Sequence, residues 1–170
     1  MSSLRCDKNF FARDVLEVAP ALLSAYLVRR EKDGLMRCRI TEAEAYRGED
    51  DLACHASKGR TSRTEVMYYP GGHLYIYLIY GMYWMINIVA GREDEPQAVL
   101  IRGIEGISGP GRVSRHLGID KGFNGENLLT SDRIWVEAGS VAMPYKSTPR
   151  IGIDYAGEPW KSKLWRFVVV

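Results

Sequence analysis

MYYPGGHLYIYLIYGMYWMINIV, residues 67–89, holds six of the ten tyrosines of this chain: Tyr68, Tyr69, Tyr75, Tyr77, Tyr80 and Tyr83. Its later part reads as two strands, 74–79 and 83–89, joined about Gly81. Aromatic and β-branched residues suit a pleated surface, and a glycine suits a tight turn. Such a hairpin makes neighbouring strands antiparallel, and that sets the fold class. The rings themselves have two uses. They can fill a core with their hydroxyls left wet, or stack on a flat ligand such as a nucleobase, where one stack is worth roughly 1–3 kcal/mol.

The pattern extends in both directions. Residues 25–30 and 35–46 read as a second hairpin around Glu31-Lys32-Asp33-Gly34. Residues 98–104 and 133–137 add strands, and 150–154 and 164–170 are expected to close the sheet. Residues 10–24 are apolar at helical spacing, and Pro20 predicts a break into two short helices, the second starting near it. Gly109-Pro110-Gly111 opens another short helix that Gly118 can end. Residues 47–66 and the stretch after 137 read as loop. The expectation is an α+β fold in one domain over 1–170, a mostly antiparallel sheet with flanking short helices and a protruding hairpin.

Composition narrows the class of protein. The chain has 170 residues, 46% hydrophobic and 26% charged, as a folded domain with a proper core would. No apolar run reaches the roughly 18 residues of a transmembrane helix, so no membrane partner is expected. MSSLRCDKNFFARD at the start lacks the apolar stretch of a signal peptide. Cys6, Cys38 and Cys54 share no CxxC spacing, and reduced thiols in the cytoplasm are expected, nucleoid-associated if the source is a prokaryote. Cys54 beside His55 is a poor metal site without further ligands, so burial suits Cys54 better. The net charge of +2 is too small to declare a polyanion binder. Basic residues do gather at Arg112, Arg115 and His116, and again between 145 and 166.

Strand alternation gives ITEAEAY, 40–46, two unlike faces. Ile40, Glu42, Glu44 and Tyr46 share one, and Thr41, Ala43 and Ala45 the other. Two carboxylates side by side need water, a cation or a functional reason. An exposed strand edge with solvated glutamates would satisfy them as well as an active site would. Asn87 sits among apolar residues of a strand and needs hydrogen-bond partners. Arg102 ends an apolar strand, where it can neutralise a glutamate or grip a phosphate.

These pieces together resemble the alkyladenine (3-methyladenine) DNA glycosylase family of the AAG/MPG type. The matching motifs are TEAEAY at 41–46, His55 nine residues later, PGGHLYIYLIYGMYWMIN at 70–87, VLIR at 99–102, GPGR at 109–112 and RIGI at 150–153. They run in one order from about Phe10 to Phe167. The resemblance implies that Glu44 is the catalytic carboxylate and that Tyr46, His55 and Tyr77 line a pocket for an extruded base. It implies that Asn87 obstructs the amino group of guanine, that Tyr80 enters the minor groove to fill the vacated stack, and that Arg102 lies near the attacking water and the DNA backbone. It implies no metal, no cofactor and no Schiff base, and a fold like the formyltransferase C-terminal domain. Ser62 and Thr64 stand where the family often reads Pro and Asn, so the 59–64 loop is a departure.

The chemistry expected is hydrolysis of the N-glycosidic bond of damaged purines in double-stranded DNA by a monomer. A base must leave the duplex stack to be reached. The extruded purine is expected between Tyr77 on one side and Tyr46 and His55 on the other, with Glu44 activating water and Glu42 in a structural role. A non-catalytic nucleic-acid-binding module on the same fold is the alternative, and it has no need of Glu44. A carbohydrate hydrolase using Glu42 and Glu44 is disfavoured, because same-face strand neighbours stand about 7 Å apart and point one way instead of flanking a sugar.

Overall fold

The computed structural model describes residues 4–170. Two helices open the chain, α1 (Lys8–Phe11) and α2 (Val15–Leu22). The break between them falls at 12–14, not near Pro20. Two aspartates decide this: Asp7 accepts from Phe10 N–H and Asp14 from Leu16 N–H, each capping the helix that follows. Pro20 lies inside the last turn of α2, which stops two residues later.

β1 (Tyr26–Glu31) and β2 (Gly34–Arg47) form the first hairpin, β3 (Leu74–Ile79) and β4 (Tyr83–Ala90) the second. β5 (Gln97–Ile104) returns beside β4, and the short β6 (Ile107–Ser108) folds back on β5. α3 (Pro110–Leu117) carries Pro110 in its first turn and ends on Gly118 in the left-handed conformation. β7 (Ile134–Glu137), β8 (Tyr145–Thr148) and β9 (Arg166–Val169) follow. The strands pair antiparallel in the order β3-β4-β5-β2-β1-β7, and β9 adds to the far half of β2 with β8 outside it. The fold is α+β with a mostly antiparallel sheet, as the hairpin pattern indicates.

Two details differ from the sequence pattern. Tyr145–Thr148 is a strand within what reads as loop. It pairs only β9 and is largely exposed, so it shows no apolar alternation. Residues 150–153 are not a strand. Their backbone turns away through Gly152 at φ +74° into a 3-10 turn at Asp154–Ala156, and the Ile151 N–H bonds a side chain in place of a neighbouring strand.

The register explains how one sheet carries two characters. Leu74, Ile88, Val99 and Ala45 lie in one row across β3, β4, β5 and β2. All four are completely buried in the main core together with Val18 and Leu22 of α2 and Val113 of α3. The adjacent row, Tyr75, Asn87, Leu100 and Glu44, points to the other face. That face is packed by Cys54, Val66, Met67 and Tyr68 from the 47–69 segment.

Candidate active site

Glu44 is buried with no exposed surface, and Glu42 is buried too. The exposed-edge reading of the two glutamates is therefore overturned: β2 is flanked by β5 on one side and by β1 and β9 on the other, so it is a central strand. Paired β-bulges shape this crossing. The register between β2 and β5 shifts between Ile40 and Glu42 and again between Glu42 and Ala43. Thr41 is the extra residue on β2 and Arg102 the extra residue on β5, and a bulge re-aims the side chain it carries. Gly103 leaves the necessary space, because a Cβ there would stand 3.0 Å from the Glu42 Cβ.

Arg102 serves both carboxylates. Its Nε donates to Glu42 Oε1 at 3.1 Å, and its Nη1 lies 3.6 Å from Glu44 Oε1. Glu42 also accepts from Arg166 Nε at 2.7 Å, and Arg166 in turn donates to Thr148. Two guanidinium groups on Glu42 fit the structural role expected of it. Glu44 has a different set of partners. Tyr46 donates its hydroxyl to Oε1 at 2.9 Å, and the Ile151 backbone N–H donates to Oε2 at 2.6 Å. Burial raises the Glu44 carboxyl above the ordinary glutamate value, opposed by the charge of Arg102, the Ile151 N–H, the Tyr46 hydroxyl and the charge of Arg150. Burial and the neighbouring carboxylate push the Tyr46 phenol well up, so it stays a protonated donor.

Beside the residues that hold this carboxylate opens a cavity of about 720 Å³. Tyr46, Arg102 and Ile151, the groups that bond Glu44, are in its lining, as are His55, Tyr77 and Asn87. The structure therefore brings six of the seven site residues expected from sequence to one cavity; the seventh, Glu44, does not line it and is joined to it only through Tyr46, Ile151 and Arg102. His55 is held by Tyr75, whose hydroxyl lies 2.9 Å from Nδ1. Burial, and then the charge of Arg63, lower the imidazole to about 4, so it is neutral at pH 7. Asn87 is buried and donates through Nδ2 to Tyr75 O at 3.1 Å, which answers its need for partners.

The arrangement of rings differs from the expected sandwich. His55 and Tyr77 are in direct tilted contact, centroids 4.5 Å apart. A ring held between two others needs about 7 Å, twice a contact distance. His55 and Tyr77 thus form one wall, and Tyr46, from β2, is a separate aromatic surface. Tyr80 also belongs to the cavity rim and is 84% exposed at the hairpin tip. It has φ +53° and Gly81 has φ +65°, with Met82 N–H bonded to Ile79 O. A tyrosine in the left-handed region is strained by about 1–3 kcal/mol, and such strain collects at functional positions. The departure loop is a self-bonded turn: Thr64 is buried, donates to Gly59 O and accepts from Thr61 N–H.

Three contributors were not visible as such in the sequence: Asp51, Arg150 and the backbone of Ile151. Arg150 belongs to the RIGI motif and Asp51 to the 47–66 loop, but no local spacing links positions 51 and 150. Tyr155 was missed as well. It lines the cavity and donates its hydroxyl to Ala53 O at 3.2 Å. Among the described residues no group of three or more His, Cys, Asp or Glu side chains converges as a metal site would need.

The cavity is thus walled by aromatic side chains and bordered by the groups that hold the buried Glu44. A family model described as methylpurine-DNA glycosylase (MPG) matches residues 9–109 and 105–170, and the chain belongs to that family. A relative from Natranaerobius thermophilus is 39% identical, over 98% of this chain and 96% of its own length. One from Methanocella arvoryzae is 42% identical over 94% and 90%, and one from Legionella pneumophila strain Corby 45% over 95% and 92%. All three are provisionally named 3-methyladenine DNA glycosylase.

Proposed function

We propose that this DNA glycosylase is monofunctional and hydrolyses the N-glycosidic bond of damaged purines extruded from double-stranded DNA, leaving an abasic site. Candidate bases are 3-methyladenine, 7-methylguanine, hypoxanthine and ethenoadenine, the first being the base in the names of its relatives. The observation that carries the reading is Glu44, fully buried yet held by Tyr46, Ile151 and Arg102, three residues that line the aromatic cavity.

The roles follow from placement. Extrusion of a nucleotide costs a few kcal/mol, least at a damaged site. Tyr80, exposed and held out by its turn, is the wedge that fills the gap, as side chains do in minor-groove proteins. Arg112 and Arg115, exposed on α3 beside the cavity, suit the phosphates. The purine enters between Tyr46 and the wall formed by Tyr77 and His55, and Asn87 crowds a base carrying an extra amino group. The oxygen of a water attacks C1′, the C1′–N bond breaks with its electrons going to the base, and Glu44 takes the water proton. Its charge also stabilises the oxocarbenium-like transition state. A carboxylate carries two lone pairs on each oxygen, so the bonds from Tyr46 and Ile151 leave acceptor capacity for a water that enters with the substrate. The charge of Arg102 favours ionised Glu44 against its burial, and Arg102 borders the water and the backbone. The buried free cysteines Cys6, Cys38 and Cys54 accord with a reducing, cytoplasmic compartment.

The test is release of free base from a duplex bearing one hypoxanthine, and from methylated DNA. Wild type releases base, and Glu44→Gln binds the duplex without releasing it. If wild type binds duplex DNA yet frees none of several damaged purines, the enzymatic reading fails and the binding-module reading replaces it.

A further inference from the structure

Asp51 and Arg150 form an ion pair whose two side chains have no exposed surface. Arg150 Nη1 donates to Asp51 Oδ2 at 2.6 Å and Nη2 to Oδ1 at 3.0 Å, a two-pronged contact across 99 positions of sequence. The pair touches every part of the Glu44 environment on its side. Arg150 Nη1 also donates to Ala45 O, between Glu44 and Tyr46, at 3.0 Å. The guanidinium carbon stands 4.9 Å from the Tyr46 ring centroid and 5.0 Å from that of Trp165. The next residue, Ile151, supplies the N–H on Glu44 Oε2. Asp51 accepts from the N–H groups of Arg47 and Ala53, which holds the loop leading to His55.

A buried ion pair is a poor source of stability, and this one leaves the Arg150 Nε buried without a hydrogen-bond partner. What it supplies is position. Residues 150–153 lie in neither strand nor helix, so their own backbone pairing does not fix the Ile151 N–H on Glu44. We propose that Asp51 and Arg150 are positioning residues of the glycosylase site, a buried clamp that holds the Ile151 N–H against Glu44 and the Tyr46 ring beside it. The proposal rests on the glycosylase reading of Glu44 and deepens it.

The charged and titratable groups around Glu44 are Arg102 from β5, Glu42, which shares that arginine, and Tyr46 from its own strand, Tyr77 from β3, Arg166 across on β9, Tyr155, and Arg150. Burial opposes ionisation of Glu44, while Arg150 and the N–H it fixes favour it. Loss of the clamp therefore moves the Glu44 titration upward and loosens its aim.

The variants are Arg150→Met, Arg150→Lys and the neutral double variant Asp51→Asn with Arg150→Gln, which leaves no lone buried charge should Arg150→Met fail to fold. The Glu44 carboxyl is followed by carbon-13 NMR, its signal assigned by its loss in Glu44→Gln. Base release is measured under single turnover on a hypoxanthine duplex. In Arg150→Met and the double variant the Glu44 midpoint rises by about one unit, a tenfold change in proton affinity. Release at pH 7 falls about 10²-fold, as for a misplaced catalytic group, while binding of undamaged duplex holds. Arg150→Lys keeps the charge and loses the fork, so its midpoint rises less than in Arg150→Met while release still falls. Folded variants with wild-type release overturn the proposal, whatever the midpoint does. If wild type itself releases nothing, the glycosylase reading fails, and the titration alone decides whether the clamp holds Glu44: a raised midpoint upholds it and an unmoved one overturns it.

Discussion

Two neighbouring rows of the same sheet are built from opposite chemistry. Leu74, Ile88, Val99 and Ala45 are all apolar and sealed by helices, whereas in the row Tyr75, Asn87, Leu100 and Glu44, each the next residue or the one before, all but Leu100 carry a hydroxyl, amide or carboxylate. Both rows are buried. Burial therefore does not distinguish core from site here. What distinguishes them is whether a polar atom is buried with partners. An apolar row gains stability from its burial, whereas a buried carboxylate is costly unless bonded. A sheet that buries Glu44 beside such a row is accepting a cost on one face that the other offsets. Because the two rows differ by one residue in register, a slip of one position would exchange them, which makes the β2–β5 pairing highly specified.

The largest effect expected comes from altering the polar row alone. Glu44→Gln removes the carboxylate and keeps the shape. The amide oxygen can take the Ile151 N–H, and the Tyr46 hydroxyl can turn to accept from the amide nitrogen. Base release falls about 10²–10⁴-fold, the worth of a general base, with no fall in melting temperature. In wild type the rate is lost on the acid side with a midpoint above the ordinary 4.5, because burial raises the Glu44 carboxyl and only its ionised form accepts the proton. A rate profile flat through that region would remove Glu44 from the chemistry. The counterpart on the apolar row is Ile88→Ala. It leaves a cavity among fully buried neighbours and costs about 2–5 kcal/mol of stability, read by urea unfolding. Release per folded molecule stays at the wild-type rate, and a matching loss of rate would show that the two rows are not separable.

Much of this contrast is legible in the sequence, and the reasons it is not complete are physical. Alternation alone puts Glu42, Glu44 and Tyr46 on one face and Ala43 and Ala45 on the other, because side-chain direction in a strand has a period of two. The hairpin at Tyr80 and Gly81 is legible because left-handed turns select a few residues. Alternation does not show that β2 is central, since strand order is a matter of long-range pairing. The bulges at Thr41 and Arg102 leave no mark of their own, and neither does a backbone donor such as Ile151, whose contribution is independent of its side chain. Pro20 misleads because capping by Asp14 outweighs it, and 150–154 misleads because its alternating residues serve a buried ion pair and a loop. The contact of His55 with Tyr77 depends on how the 47–69 segment lies over the sheet, a packing fact with no local signal.

Tyr77→Ala sharpens the contrast by removing one wall and leaving the carboxylate. The ring is half-buried, so stability changes little, and the lost stack weakens capture of the extruded base by roughly 1–3 kcal/mol. Affinity for a duplex with a damaged purine then falls toward that for an undamaged one. An equal loss of affinity for both duplexes would place Tyr77 in general DNA contact instead of base capture.

The smallest effect expected is in the dependence of stability on pH through His55. Its imidazole is neutral in the folded protein down to about 4, because burial and the charge of Arg63 oppose the cation, whereas the unfolded chain takes up the proton near 6.5. Between these values the unfolded state binds more protons, so folding stability falls as pH falls from 6.5 toward 4, and above 6.5 His55 contributes no pH dependence. The loss assignable to this one group is about 1 kcal/mol by pH 5.5. Urea unfolding of wild type and His55→Gln at pH 7.5 and 5.5 isolates it, since every other titrating group is common to both. The gap between the two proteins should shift in favour of the variant at the lower pH. A gap of the same size at both values would mean that the imidazole charges freely where it sits, and the wall it forms with Tyr77 would then present a cation to an already cationic alkylated base.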